Sequence, residues 1–164
     1  MNEVCRELAE RIRGEAADLA RVVRRAVDSW SRGRRAAAER EVYLESVALN
    51  LHAFYSGLER LFELIARHVD HVLPAGEGWH RDLLQQMTKE IAETRPAVIG
   101  PDSASTLDEL RRFRHLVRNV YAFNLVPQKM EPLMLALPAL WQQVEAELTA
   151  FADFLEELAE ADAT

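Results

Sequence analysis

The chain has 164 residues, 49% of them hydrophobic, with six glycines, six prolines and one cysteine; it fits a single domain over 1–164, and its Ala, Leu, Glu and Arg predict helix rather than strand. The lone Cys5 excludes an internal disulfide and stands in no metal motif, and no apolar run of about 18 residues could span a membrane, so a cytoplasmic protein without a cofactor is expected. The net charge of −7 argues against nucleic acid only until its distribution is read: eight of the 27 acids and none of the 20 Lys and Arg lie beyond position 130, which leaves the first 130 residues at +1.

The start, Met1-Asn2-Glu3-Val4, alternates charge with apolar residues and predicts no signal peptide. A first helix is predicted over about 2–30, with Val4, Leu8, Ile12, Leu19, Val22, Val23, Ala26 and Trp30 on one side, and Ser31-Arg32-Gly33-Arg34 is expected to break it. Arginines 24, 25, 32, 34 and 35 make a basic locus there. A longer helix over about 35–72 carries Leu44, Val47, Leu51, Phe54, Leu58, Leu61, Ile65, Val69 and Val72, and should be the centre of the core. Gly57 in its interior costs about 1 kcal/mol relative to Ala, which points to close approach of a neighbouring helix.

Leu73 to Gly78 reads as a turn, Trp79 to Glu93 as a short third helix, and Arg95 to Pro101 as extended chain because each proline disfavours helix before it. Ser105 and Thr106, each followed three residues later by Asp108 and Glu109, predict capping boxes at the start of a fourth helix that ends near 124–127. A last helical region runs from Pro127 to Glu160, expected to break near Pro138, with Leu137, Leu140, Trp141, Val144, Leu148, Phe151, Leu155 and Leu158 as its stripe. The predicted fold is all-α, an up-and-down bundle of four to five helices.

The fourth helix carries the densest chemistry. Leu110, Phe113, Val117 and Val120 form an apolar face, while Arg111, Arg114, His115, Arg118 and Tyr121 recur on another side, a set suited to holding phosphate and moving protons. His68 and His71 have a spacing that could hold a metal, but no third ligand follows at a recognised spacing, so no metal site is assigned. His52 and His80 are isolated and are expected to be structural or surface residues. A Gly-rich phosphate loop, H-E-x-x-H, G-x-S-x-G and CxxC are all missing, so most standard catalytic classes lack support. The acids of the last helix read as a solvated outer face.

The run Phe113-Arg114-His115-Leu116-Val117-Arg118-Asn119-Val120-Tyr121-Ala122-Phe123-Asn124-Leu125, with the earlier Leu51-His52-Ala53-Phe54-Tyr55-Ser56-Gly57-Leu58-Glu59-Arg60, resembles the HepT-like branch of the HEPN superfamily over about Leu44 to Leu158. That resemblance implies a HEPN-like helical bundle, a homodimer, and the toxin of a prokaryotic toxin-antitoxin pair acting as a metal-independent RNA endonuclease, with a minimal nucleotidyltransferase as antitoxin. The family signature is an Arg, often followed by Asn or His, with a His four to six residues on and in many members a Tyr after that. Arg118 and Asn119 match its beginning, but the His position falls on Phe123 and the Tyr position on Leu125, and no His follows Arg118 anywhere.

In the family the Arg stabilises charge on the phosphorus and the His moves the proton of the attacking 2′-hydroxyl, neither of which Phe123 can do. Two readings follow. In one, Arg118, Asn119, His115 and Tyr121 form a variant catalytic site, with Arg111 and Arg114 binding RNA. In the other, the domain is a catalytically inactive HEPN-type binding module that partners a minimal nucleotidyltransferase. A purely structural dimer, its arginines paired with acids of the second chain, is a third.

Overall fold

The computed structural model describes residues 2–119 and 125–162, with side chains over 3–115 and 125–162. Among them are five helices and no strand: α1 (Asn2–Arg35), α2 (Arg40–Ile65), α3 (Trp79–Met87), α4 (Pro101–Asn119) and α5 (Pro127–Ala161). The chain is therefore the all-α bundle that its composition predicted. α2 is the centre of the core, as its apolar spacing predicted: it packs along α1 and reaches on its other sides to α3 and α4, while α1 also packs along α5.

The first boundary differs from expectation because Gly33 serves packing instead of breaking the helix. α1 continues through it to Arg35, and the chain turns only at the short 3-10 segment Ala37–Glu39. A Cβ at Gly33 would stand 2.9 Å from Cβ of Tyr43, and one at Gly57 would stand 2.8 Å from Cδ2 of Leu19. Together with the 2.8 Å hydrogen bond between the Ser29 and Ser46 hydroxyls, these contacts fix an antiparallel register in which two glycines let α1 and α2 approach closely.

α2 ends in one wide turn, Ala66–Asp70, closed by His71 in the left-handed region at φ 56°, with the Val72 N–H donating to the Ala66 carbonyl at 3.1 Å. This turn is locked by Arg95, whose side chain is fully buried, as is that of its partner Asp70. The guanidinium donates through Nε and Nη2 to the two Asp70 oxygens, and through Nη1 and Nη2 to the carbonyls of Lys89 (2.9 Å), Pro96 (3.0 Å) and Gln86 (3.2 Å). All five N–H donors of Arg95 are used. α3 stops at Met87, short of the predicted Glu93, because the Met87 carbonyl accepts the N–H groups of Val98 and Ile99 and the chain after it curls back onto Arg95.

α4 begins at Pro101, four residues before the predicted caps. Proline at the first helical position lacks an N–H that would have no partner there. The cap comes from α5 instead: the Glu147 carboxylate accepts from the Gly100 N–H and the Ser103 hydroxyl, placing a negative charge at the helix N-terminus. α5 runs unbroken through Pro132 and Pro138, contrary to the predicted break. Both prolines lie on its exposed side, and water can take the carbonyl of the exposed Gln128 that Pro132 leaves unpaired.

Candidate functional site

α4 lies against α2 and α3, and the packing of these three elements sorts the predicted polar stretch into an inner and an outer part. Leu107 and Leu110 are buried and hold α4 to the core. Arg114 shares their inward side and is only 9% exposed, so it does not stand on one polar side with Arg111 and His115 as the spacing predicted. Its guanidinium donates through Nη1 to Glu59 Oε1 at 3.0 Å and to the Ser56 hydroxyl at 3.3 Å. Its Cζ stands 5.2 Å from the centre of the Tyr55 ring, a cation–π contact. Arg114 was predicted as an RNA contact; its cation is instead engaged internally by a buried carboxylate of α2, because an isolated buried Glu59 would be far costlier. Burial first, and the Glu59 charge second, push the Tyr55 hydroxyl well above its usual range, so it stays protonated at any physiological pH.

Glu59 has a second partner that sequence reading passed over. His80, in the first turn of α3, places Nδ1 2.7 Å from Glu59 Oε2, and Arg114 Nη2 lies 3.2 Å from the same nitrogen. The His80 ring stacks on Trp79 with 3.6 Å between ring centres and 29° between planes. Far from being an isolated surface histidine, His80 is joined to α2 and α4 through charged groups.

Above this buried cluster lies a groove of about 600 Å³ between the 76–81 segment and the outer side of α4. Trp79, His80 and Arg81 line one wall, and Arg111, Arg112 and His115 the other. Arg111 and Arg112 share a single carboxylate, Asp108, one turn earlier on α4, at 2.8 Å and 2.5 Å. Burial alone would raise the Asp108 carboxyl, but the hydrogen bonds from the two guanidiniums outweigh it and hold the group below the usual carboxylate range. Two cations on one anion leave a net positive charge on that wall. The groove has the volume of a small-ligand pocket and combines guanidiniums, imidazoles and an indole face, which are groups suited to phosphate, proton transfer and base stacking respectively.

The structure thus brings Arg111 and His115 together on the groove and sets Arg114 behind it. Arg118 and Asn119 form the end of α4 as described, one helical turn beyond His115. Their side chains, and Tyr121 and Phe123 entirely, lie outside the described residues. His68 and His71 are exposed, and Asp70 between them is committed to Arg95; among the described residues no group of three or more His, Cys, Asp or Glu is arranged to hold a metal. No helix among them is long and apolar enough to cross a membrane. The residues missed were Glu59, His80 and Trp79. The available signal was Glu59 itself, an acid on the apolar side of α2 flanked by Leu58, Leu61 and Phe62.

Residues 46–155 match the family model described as HepT-like protein. No match was found among curated proteins or solved structures.

Proposed function

Since the chain belongs to the HepT-like protein family, we propose that it is the toxin of a prokaryotic toxin-antitoxin pair, acting as a homodimer that binds RNA along the α3–α4 groove and cleaves it without a metal. The observation that carries this is the meeting, on one groove, of two imidazoles, paired guanidiniums and an indole. Arg111 and Arg112 hold backbone phosphate, and Trp79 offers a stacking face for a base. Arg118, supported by Asn119, stabilises the charge that develops on phosphorus, while His115 supplies the proton transfer that Phe123 cannot, with Tyr121 close after it in sequence. Its antitoxin is a separately encoded minimal nucleotidyltransferase.

Two observations favour the second reading, a non-cleaving binding module for that nucleotidyltransferase: Arg114 is spent on an internal ion pair, and Phe123 stands at the position of the motif histidine. A single experiment decides between them. Single-stranded RNA is incubated with the purified chain in excess chelator, beside Arg118→Ala and His115→Ala. Cleavage by the unmodified chain, lost by about 10²-fold or more in each variant, supports the toxin. No cleavage, together with normal growth on expression and a stable complex with the nucleotidyltransferase of its host, supports the binding module.

A further inference from the structure

Resting on the reading of RNA cleavage above, but moving one role within it, we propose that His80 rather than His115 takes the proton of the attacking 2′-hydroxyl, which leaves His115 to protonate the departing oxygen, with Glu59 as the residue that positions His80. The geometry fixes where the proton of the free imidazole resides. Glu59 Oε2 is 2.7 Å from Nδ1; were that nitrogen bare, two lone pairs would meet at hydrogen-bond distance, so Nδ1 carries the hydrogen and donates it. Arg114 Nη2, at 3.2 Å from the same nitrogen, holds its positive charge beside this edge of the ring. In the neutral ring the lone pair is then on Nε2, the nitrogen that the Glu59 and Arg114 contacts do not use.

Three elements hold this orientation. Glu59 comes from α2, where Arg114 of α4 neutralises it at 3.0 Å, and Trp79 stacks on the ring and sets its plane. The ring is still 27% exposed and lines the groove opposite His115. This is the orienting logic of a carboxylate–imidazole pair: the acid holds one nitrogen and the other acts. The other charged side chains lining the groove are Glu77 in the preceding loop, Arg81 on α3, and Arg111 and Arg112 on α4.

In the step assigned to it, the 2′-O–H proton passes to Nε2 and the oxygen pair closes on phosphorus to give a 2′,3′-cyclic phosphate. The P–O5′ bond breaks with its pair on O5′, which takes a proton from the imidazolium of His115. Exchange with water then returns His80 to its neutral form and His115 to its charged one.

The variant that isolates this role is His80→Asn, because the asparagine amide keeps an N–H near the Nδ1 position for Glu59 and removes Nε2. With the full chain, single-stranded RNA and chelator, His80→Asn is expected to retain its thermal midpoint and RNA affinity. Its cleavage rate should fall about 10²- to 10⁴-fold and one limb of the pH–rate profile should vanish. Glu59→Gln should lower kcat more than it changes KM, and a substrate with a single 2′-deoxy residue at the cleaved position should resist the unmodified chain. A His80→Asn chain that cleaves at the original rate with the original pH profile, while Arg118→Ala is inactive, overturns the assignment and leaves RNA cleavage standing. Failure of the unmodified chain to cleave in an Arg118-dependent way overturns both.

Discussion

Among the described residues two arginines are buried, each facing a carboxylate from a distant stretch of chain, and they are built differently. Arg95 is sealed: its side chain and that of Asp70 are at 0% and 1% exposure, and every N–H has an oxygen partner. Arg114 sits at 10% side-chain exposure beneath a groove, uses Nη1 on Glu59 and Ser56, and lies against an imidazole that faces solvent. A saturated clamp can only hold the structure. A carboxylate shared between a buried cation and a half-exposed histidine instead carries the order of the core out to a surface where chemistry can occur.

The comparison predicts a graded set of effects. Arg95→Ala leaves Asp70 charged and unpartnered and should cost roughly 3–5 kcal/mol in denaturant unfolding, the largest single effect. A loss under 1 kcal/mol would show that the clamp is dispensable. Arg114→Ala should cost less, roughly 2–3 kcal/mol, because His80 keeps its hydrogen bond to Glu59 and the groove admits water. Adding Glu59→Gln should recover part of that loss, since it removes the uncompensated charge; an additive double mutant would mean the two side chains are not coupled.

Glu147→Ala removes the cap that α5 supplies to α4 and should cost about 1–2 kcal/mol, with the loss of protection from hydrogen exchange concentrated in the first turn of α4. Smallest is Asp108. Its carboxyl is held below the ordinary range, so the stability it contributes is present above the unfolded-state value and is lost as pH falls through the lower folded-state value. Asp108→Asn should flatten that acid limb by about 0.5 kcal/mol while strengthening RNA binding, because Arg111 and Arg112 lose their shared anion. Weaker RNA binding in this variant would place the RNA elsewhere.

Much of the fold could be read from residue spacing, since apolar residues at helical intervals mark all five helices and the glycine inside α2 does mark a close contact. The boundaries were less legible because partners remote in sequence set them. Gly33 looks like a breaker until Tyr43 is seen against it, α3 ends where Val98 and Ile99 take its last carbonyl, and the cap of α4 comes from Glu147 rather than Ser105 or Thr106. The same reason divides the candidate site. Arg111 and His115 could be placed on one side of a helix by their spacing, but spacing alone gave no sign that Arg114 would turn inward to Glu59. His80, 34 residues before Arg114, joins the cluster only through the fold.

The groove's claim on RNA is tested most directly by the salt dependence of RNA affinity for the unmodified chain beside Arg111→Ala. If Arg111 holds a phosphate, the variant binds more weakly at low salt and its slope of log affinity against log salt is shallower by about 0.7, the share of one single-strand phosphate contact. Equal affinity and equal slope in the two proteins would contradict the account, because RNA would then be held somewhere other than the α3–α4 groove.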